Sequence, residues 1–123
     1  MLCETLKTLD SWRHDMSFLI EQPLFAAVNA TANGDNVVIS GVAGRQIMVL
    51  GYMLTGTTLS TVTIQDTNGT PVVLGYVRVG ADGGGACYPG PTPAFVTNAG
   101  EGVEINNATG NDTLGHMTYR VIG

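Results

Sequence analysis

The chain has 123 residues, a formal net charge of −5 and only 12% charged residues, about half the usual share of ~25%. Its five basic residues, Lys7, Arg13, Arg45, Arg78 and Arg120, are scattered, so the phosphate-neutralising surface of a nucleic-acid binder is excluded. No apolar run approaches the roughly 20 residues that span a bilayer as a helix, and no membrane partner is expected.

The length fits one domain with a true hydrophobic core. Residues 2–14, "LCETLKTLDSWRH", carry Leu2, Leu6, Leu9 and Trp12 at helical spacing. They are the only helical signal. "MSFLIEQP" (16–23) follows, with Phe18, Leu19 and Ile20, and Pro23 closes it. Residues 1–23 are therefore read as an N-terminal arm with a short helix, and 24–123 as the folded domain. From Leu24 onward the pattern is β. "LFAAVNA" (24–30) puts Leu24, Ala26, Val28 and Ala30 on one face, and "NVVIS" (36–40) is a short β-branched strand.

The long strand 46–55 does not alternate. Ile47, Met48, Val49, Leu50, Gly51, Tyr52, Met53 and Leu54 run without a charge, which predicts a central strand with two covered faces. One face meets the opposing sheet. The other meets a neighbouring subunit or the N-terminal segment; the alternative cover is loop 80–93. "LSTVTIQD" (59–66) and "PVVLGYVRV" (71–79) flank Asn68-Gly69, which predicts a hairpin with a two-residue turn at positive φ. "GADGGGACYPGPTP" (80–93) reads as a long Gly/Pro loop. Strands follow within 94–102, 103–110 and 114–122, the last with Met117, Tyr119 and Val121 on one face and His116, Thr118 and Arg120 on the other. The expected fold is all-β: an antiparallel β-sandwich or jelly roll of about eight strands.

Residues able to carry chemistry are few. The two histidines, His14 and His116, have no nucleophile motif beside them, so no catalytic residue is assigned and no enzyme is expected. Metal sites need clustered His, Cys or carboxylate. "DTNGT" (66–70) echoes a calcium loop without its full ligand spacing, and "NNATGND" (106–112) is merely rich in oxygen. "GADGGGA" (80–86) has no Lys and opens no helix, unlike a phosphate loop. Cofactors and metals are thus expected to be none. Cys3 and Cys87 lie far apart without a CxxC, and no signal-peptide pattern precedes the domain. Two free thiols in a reducing cytoplasm are expected, a Cys3–Cys87 bridge being the alternative.

Two stretches, "GDNVVISGVAGRQIMVLGYML" (34–54) and "TNAGEGVEINNATGNDTLGHMTYRVI" (97–122), resemble small virion proteins of tailed bacteriophages. The shared order is a turn, a short strand, the Gly-basic-x-Ile-x-Val-Leu-x-Tyr strand, then Ala-Gly-Glu, a strand with alternating Asn and a closing Gly-His-x-Thr-Tyr strand. Such proteins are β-sandwich modules that decorate (cement) capsids or form small fibre and spike components. The resemblance implies a capsid decoration protein that binds the outer head shell as an oligomer. Its partners would be the major capsid protein and its own copies, as a homotrimer or, next, a dimer. It would assemble in the bacterial cytoplasm and reside on the virion surface. The alternative is a tail or head-fibre recognition module for a host surface or carbohydrate, for which Trp12, Tyr88 and Phe95 are the aromatic candidates.

Candidate contacts to shell or subunit are Leu2, Leu6, Leu9, Trp12, Phe18, Ile20, Tyr88 and Phe95. Residues 1–15 are read as an arm that grips the shell, in preference to a cap in which Leu6, Leu9 and Trp12 cover the spare face of the long strand.

Overall fold

A computed structural model describes residues 23–80, 85–88 and 92–123, with Gly85–Tyr88 described as backbone. The expected helix at 2–14 lies outside these residues. Nine strand segments follow in order: β1 (Leu24–Ala30), β2 (Gly34–Ile39), β3 (Gln46–Gly56), β4 (Ser60–Asp66), β5 (Val73–Val79), β6 (Gly85–Tyr88), β7 (Phe95–Val96), β8 (Val103–Asn107) and β9 (Thr113–Ile122). Every pairing is antiparallel. One sheet runs β1-β9-β3-β6, with β7 also paired to β3, and the other runs β2-β8-β4-β5. With β7 set aside, this is the strand order of an eight-stranded jelly roll.

The core is the seam between the sheets. Val28, Ala30, Ile47, Val49, Leu54 and Met117 come from the first sheet, and Ile39, Val62, Ile64, Val77, Val79, Val103 and Ile105 from the second. Removing each of these side chains except that of Ala30 from water contributes about 1.5–3 kcal/mol. Most are β-branched, which suits a pleated surface packed on one side.

The long strand owes its unbroken apolar run to a bulge. Val49 lies opposite Tyr119 and Gly51 opposite Thr118, so Leu50 is an extra residue. One extra residue reverses which positions face inward. Before it, Ile47 and Val49 are buried; after it, Tyr52 packs on the core and Leu54 and Gly56 are buried. Two half-strands of opposite phase, each alternating, read in sequence as one strand with no alternation. The strand is central as expected, flanked by β9 on one edge and by β6 and β7 on the other.

Three local expectations are corrected. Gly85–Tyr88, placed in a loop by its composition, is a strand paired to Tyr52–Thr55. It therefore lines the edge of β3 and does not cap its face. The second strand starts at Gly34, whose φ of 82° only glycine takes readily. The third correction concerns Asn68-Gly69. The hairpin between β4 and β5 exists, but Gly69 is absent from the positive-φ glycines, and the connection spans 67–72. That loop is organised by Asp66. Its Oδ1 accepts the backbone N–H of Asn68 at 3.2 Å and of Val72 at 2.9 Å, while Asn68 Oδ1 accepts that of Thr70 at 2.9 Å. An Asp side chain does here what a two-residue turn would have done with backbone alone.

Candidate interaction surfaces

Each sheet has an outer face, and the two differ in their charged and amide groups. The outer face of the β1-β9-β3 sheet follows from the register. Ala27, His116 and Met53 form one row, Phe25 and Thr118 a second, Met48, Arg120 and Val96 a third, and Asn29, Leu114 and Thr55 a fourth. Phe25 is 66% exposed and Met53 47%, and Val96 and Leu114 are also exposed. The Phe25 ring stacks on the His116 imidazole, with centroids 5.3 Å apart and planes at 27°. Nδ1 of His116 is enclosed with no hydrogen-bond partner among the described residues. These rows hold Arg120 and His116 but no carboxylate. The face is thus apolar and, where charged, basic.

The outer face of the other sheet carries acids and amides beside the exposed Val37 and Val73. Asp35, Asn106, Thr63 and Tyr76 stand opposite one another across all four strands. The adjacent row is Val37, Glu104, Gln65 and Val73. Asn106 Nδ2 donates to Asp35 Oδ1, and Gln65 Nε2 donates to Glu104 Oε2 at 2.6 Å and to Asp35 Oδ1 at 3.1 Å. Glu104 is only 6% exposed, and the charge-assisted bond to Gln65 offsets its desolvation. Tyr76 ends its row 68% exposed.

The oxygen-rich stretches serve the interior. Asn111 Oδ1 accepts the backbone N–H groups of Thr57 and Thr58, both at 3.2 Å. Its Nδ2 donates to Thr113 Oγ1 at 3.0 Å and to Asn107 Oδ1 at 3.3 Å. Asn107 Nδ2 in turn donates to the carbonyls of Ala30 at 2.7 Å and Ala32 at 3.2 Å. At the other end of the sandwich, Thr97 Oγ1 accepts the Ile47 N–H and donates to the Glu101 carbonyl, both at 2.9 Å. Among the described residues, no three His, Cys, Asp or Glu side chains come together as a metal site would require.

Of the candidate contacts read from the sequence, Leu2, Leu6, Leu9, Trp12, Phe18 and Ile20 lie outside the described residues, as does the side chain of Tyr88. Phe95 is placed, and it faces the sandwich interior. Its ring stacks on Tyr52 at 5.9 Å and 9°, and its edge sits 3.0 Å from where a Cβ on Gly75 would be. It is a packing residue. The exposed residues that sequence reading passed over are Phe25, Met53, Leu114 and Tyr76. Alternation along β9 had separated His116 from Met117, but only the pairing of β1, β9 and β3 shows that Phe25, His116 and Met53 share one surface.

The described residues thus form an all-β sandwich of jelly-roll order, with acids and amides on one outer face and no carboxylate on the other. Comparison with protein-family models, with curated proteins and with solved structures at significant similarity yields no match.

Proposed function

We propose that this protein is a virion structural protein of a tailed bacteriophage, a capsid decoration (cement) protein that binds and stabilises the outer head shell as an oligomer. The observation that supports this most is the carboxylate-free apolar face around Phe25, Met53 and Leu114. Such a face gains free energy by meeting protein and gains none by meeting water. The resemblance in 34–54 and 97–122 supplies the class, and the jelly roll supplies a rigid body. On this reading the apolar side, with the N-terminal segment entering at its edge, is turned to the shell and to neighbouring copies. The other sheet faces outward. Each copy that bridges shell subunits stabilises them by mass action, since it binds the assembled state alone. A homotrimer matches the local threefold points of a shell lattice, and a dimer is the next choice.

The test is to incubate the purified protein with undecorated heads of the phage that encodes it. Saturable, stoichiometric co-sedimentation and a raised melting temperature of the heads are expected. Failure to bind at saturating concentration overturns the proposal.

A second reading is favoured by the row Asp35, Asn106, Thr63 and Tyr76. An exposed ring aligned with amide, hydroxyl and carboxylate groups is the composition of a surface that binds polyhydroxylated ligands. A recognition module for host carbohydrate would use it. Glycan binding that Tyr76→Ala abolishes would establish this reading, and binding that ignores the substitution would reject it.

A further inference from the structure

We infer that in the free chain residues 1–22 cover the outer face of the β1-β9-β3 sheet, with Leu2, Leu6, Leu9 and Trp12 packed on the surface formed by Phe25, Met53, Leu114 and Val96. This assigns the segment the capping role in the unattached protein and does not rest on the virion reading.

Four observations converge. The first is position. Residue 22 is separated by Pro23 alone from Leu24, which pairs with Tyr119 at the edge of this same sheet. A segment tethered there has an effective concentration on the order of millimolar at the face, which a separate copy at micromolar concentration does not match.

The second is size. Eleven residues, 2–12, span ~16 Å as a helix. The distance from β1 across β9 and β3 to the strands beyond it is three strand spacings, ~14 Å. The four large apolar residues at helical spacing thus have the reach the face requires, and Phe18, Leu19 and Ile20 add apolar chain near the tether.

The third is charge. The segment carries Glu4, Asp10, Asp15 and Glu21 against Lys7 and Arg13. Among the described residues the face carries Arg120 and His116 and no acid. The outer side of the opposite sheet carries the acids Asp35 and the largely buried Glu104 against Arg78 alone, and so lacks this complementarity.

The fourth is the enclosed Nδ1 of His116, beside the Phe25 ring. A buried ring nitrogen without a partner costs free energy, and a polar group of a covering segment supplies one.

The chain contains a single tryptophan, Trp12, so the full-length protein reports on its own segment. The expected result is blue-shifted Trp12 emission, with acrylamide quenching several-fold weaker than for a solvated indole and unchanged by dilution. Met53→Glu, placing an acid on the face at an exposed position, is expected to red-shift the emission and restore quenching. Leu9→Asp in the segment is expected to do the same with the β-sheet circular dichroism unchanged. Thr61→Glu, at an exposed position opposite Arg78 on the other sheet, is the control and is expected to leave the emission alone. Solvent-exposed emission in the native chain overturns the inference, and so does indifference to both Met53→Glu and Leu9→Asp. Protection that vanishes on dilution overturns it in favour of a second copy on the same face.

Discussion

The carboxylate of Asp66 accepts the backbone N–H of Val72 at 2.9 Å across the mouth of the β4–β5 loop. Asp66 is almost wholly buried, and its other amide bond, from Asn68, turns the chain just beyond the strand. Asp66→Ala strands two backbone donors in a part-buried setting. A loss of about 1–3 kcal/mol is expected, measured by urea denaturation. Unchanged stability would show that water replaces the carboxylate without cost.

Gly69, in the same loop, is expected to be dispensable. It has no positive φ, and a Cβ there meets nothing within 4 Å. Gly69→Val should change stability by no more than about 0.5 kcal/mol. A large drop in melting temperature would restore the two-residue positive-φ turn that the Asn-Gly pair suggests.

Asn111 joins three chain segments through bonds to Thr57, Thr58, Asn107 and Thr113. Asn111→Leu is near in volume but removes both donor and acceptor. It leaves the Thr58 amide without its acceptor and the Thr57 amide with the Asp112 carbonyl alone, and is expected to cost about 1–3 kcal/mol. The check is chemical denaturation together with loss of amide protection at Thr58, and a smaller loss at Thr57.

Leu50 fixes the phase of the central strand. Deleting it straightens the ladder, but it turns either the Ile47/Val49 half or the Leu54/Gly56 half outward. The expected outcome is a chain without dispersed amide resonances. Leu50→Ala keeps the extra residue and is expected to fold. A folded deletion variant would show that the bulge is incidental.

Self-association is expected with the N-terminal segment in place. Charged residues are only 12% of the chain, and Val37, Leu59 and Tyr76 remain exposed away from the first sheet's outer face. Sedimentation equilibrium should return a multiple of the 12.8 kDa chain mass. A monomer throughout the micromolar range would contradict this.

The sequence by itself determined the elements whose signal is local. Alternation along 60–66 and 113–122 and the β-branched run in 34–39 mark strands because side-chain direction repeats every two residues. Turn residues between them mark the breaks, and together these suffice for an all-β sandwich. Gly85–Tyr88 was illegible because the Gly and Pro around it mark a loop; that segment is a strand because Tyr52–Thr55 offer it a free edge.

The conformation of the Asn68-Gly69 loop was likewise settled by a buried carboxylate, that of Asp66, whose burial no local pattern announces. The surfaces depended on tertiary structure almost entirely. Phe25, His116 and Met53 are far apart in the chain and become neighbours only through the β1-β9-β3 register, just as Asp35, Asn106, Thr63 and Tyr76 align only through four paired strands. Periodicity states that a side chain points to one of two faces. Only long-range pairing, with a one-residue bulge at Leu50 to reverse the phase, decides which face and beside whom.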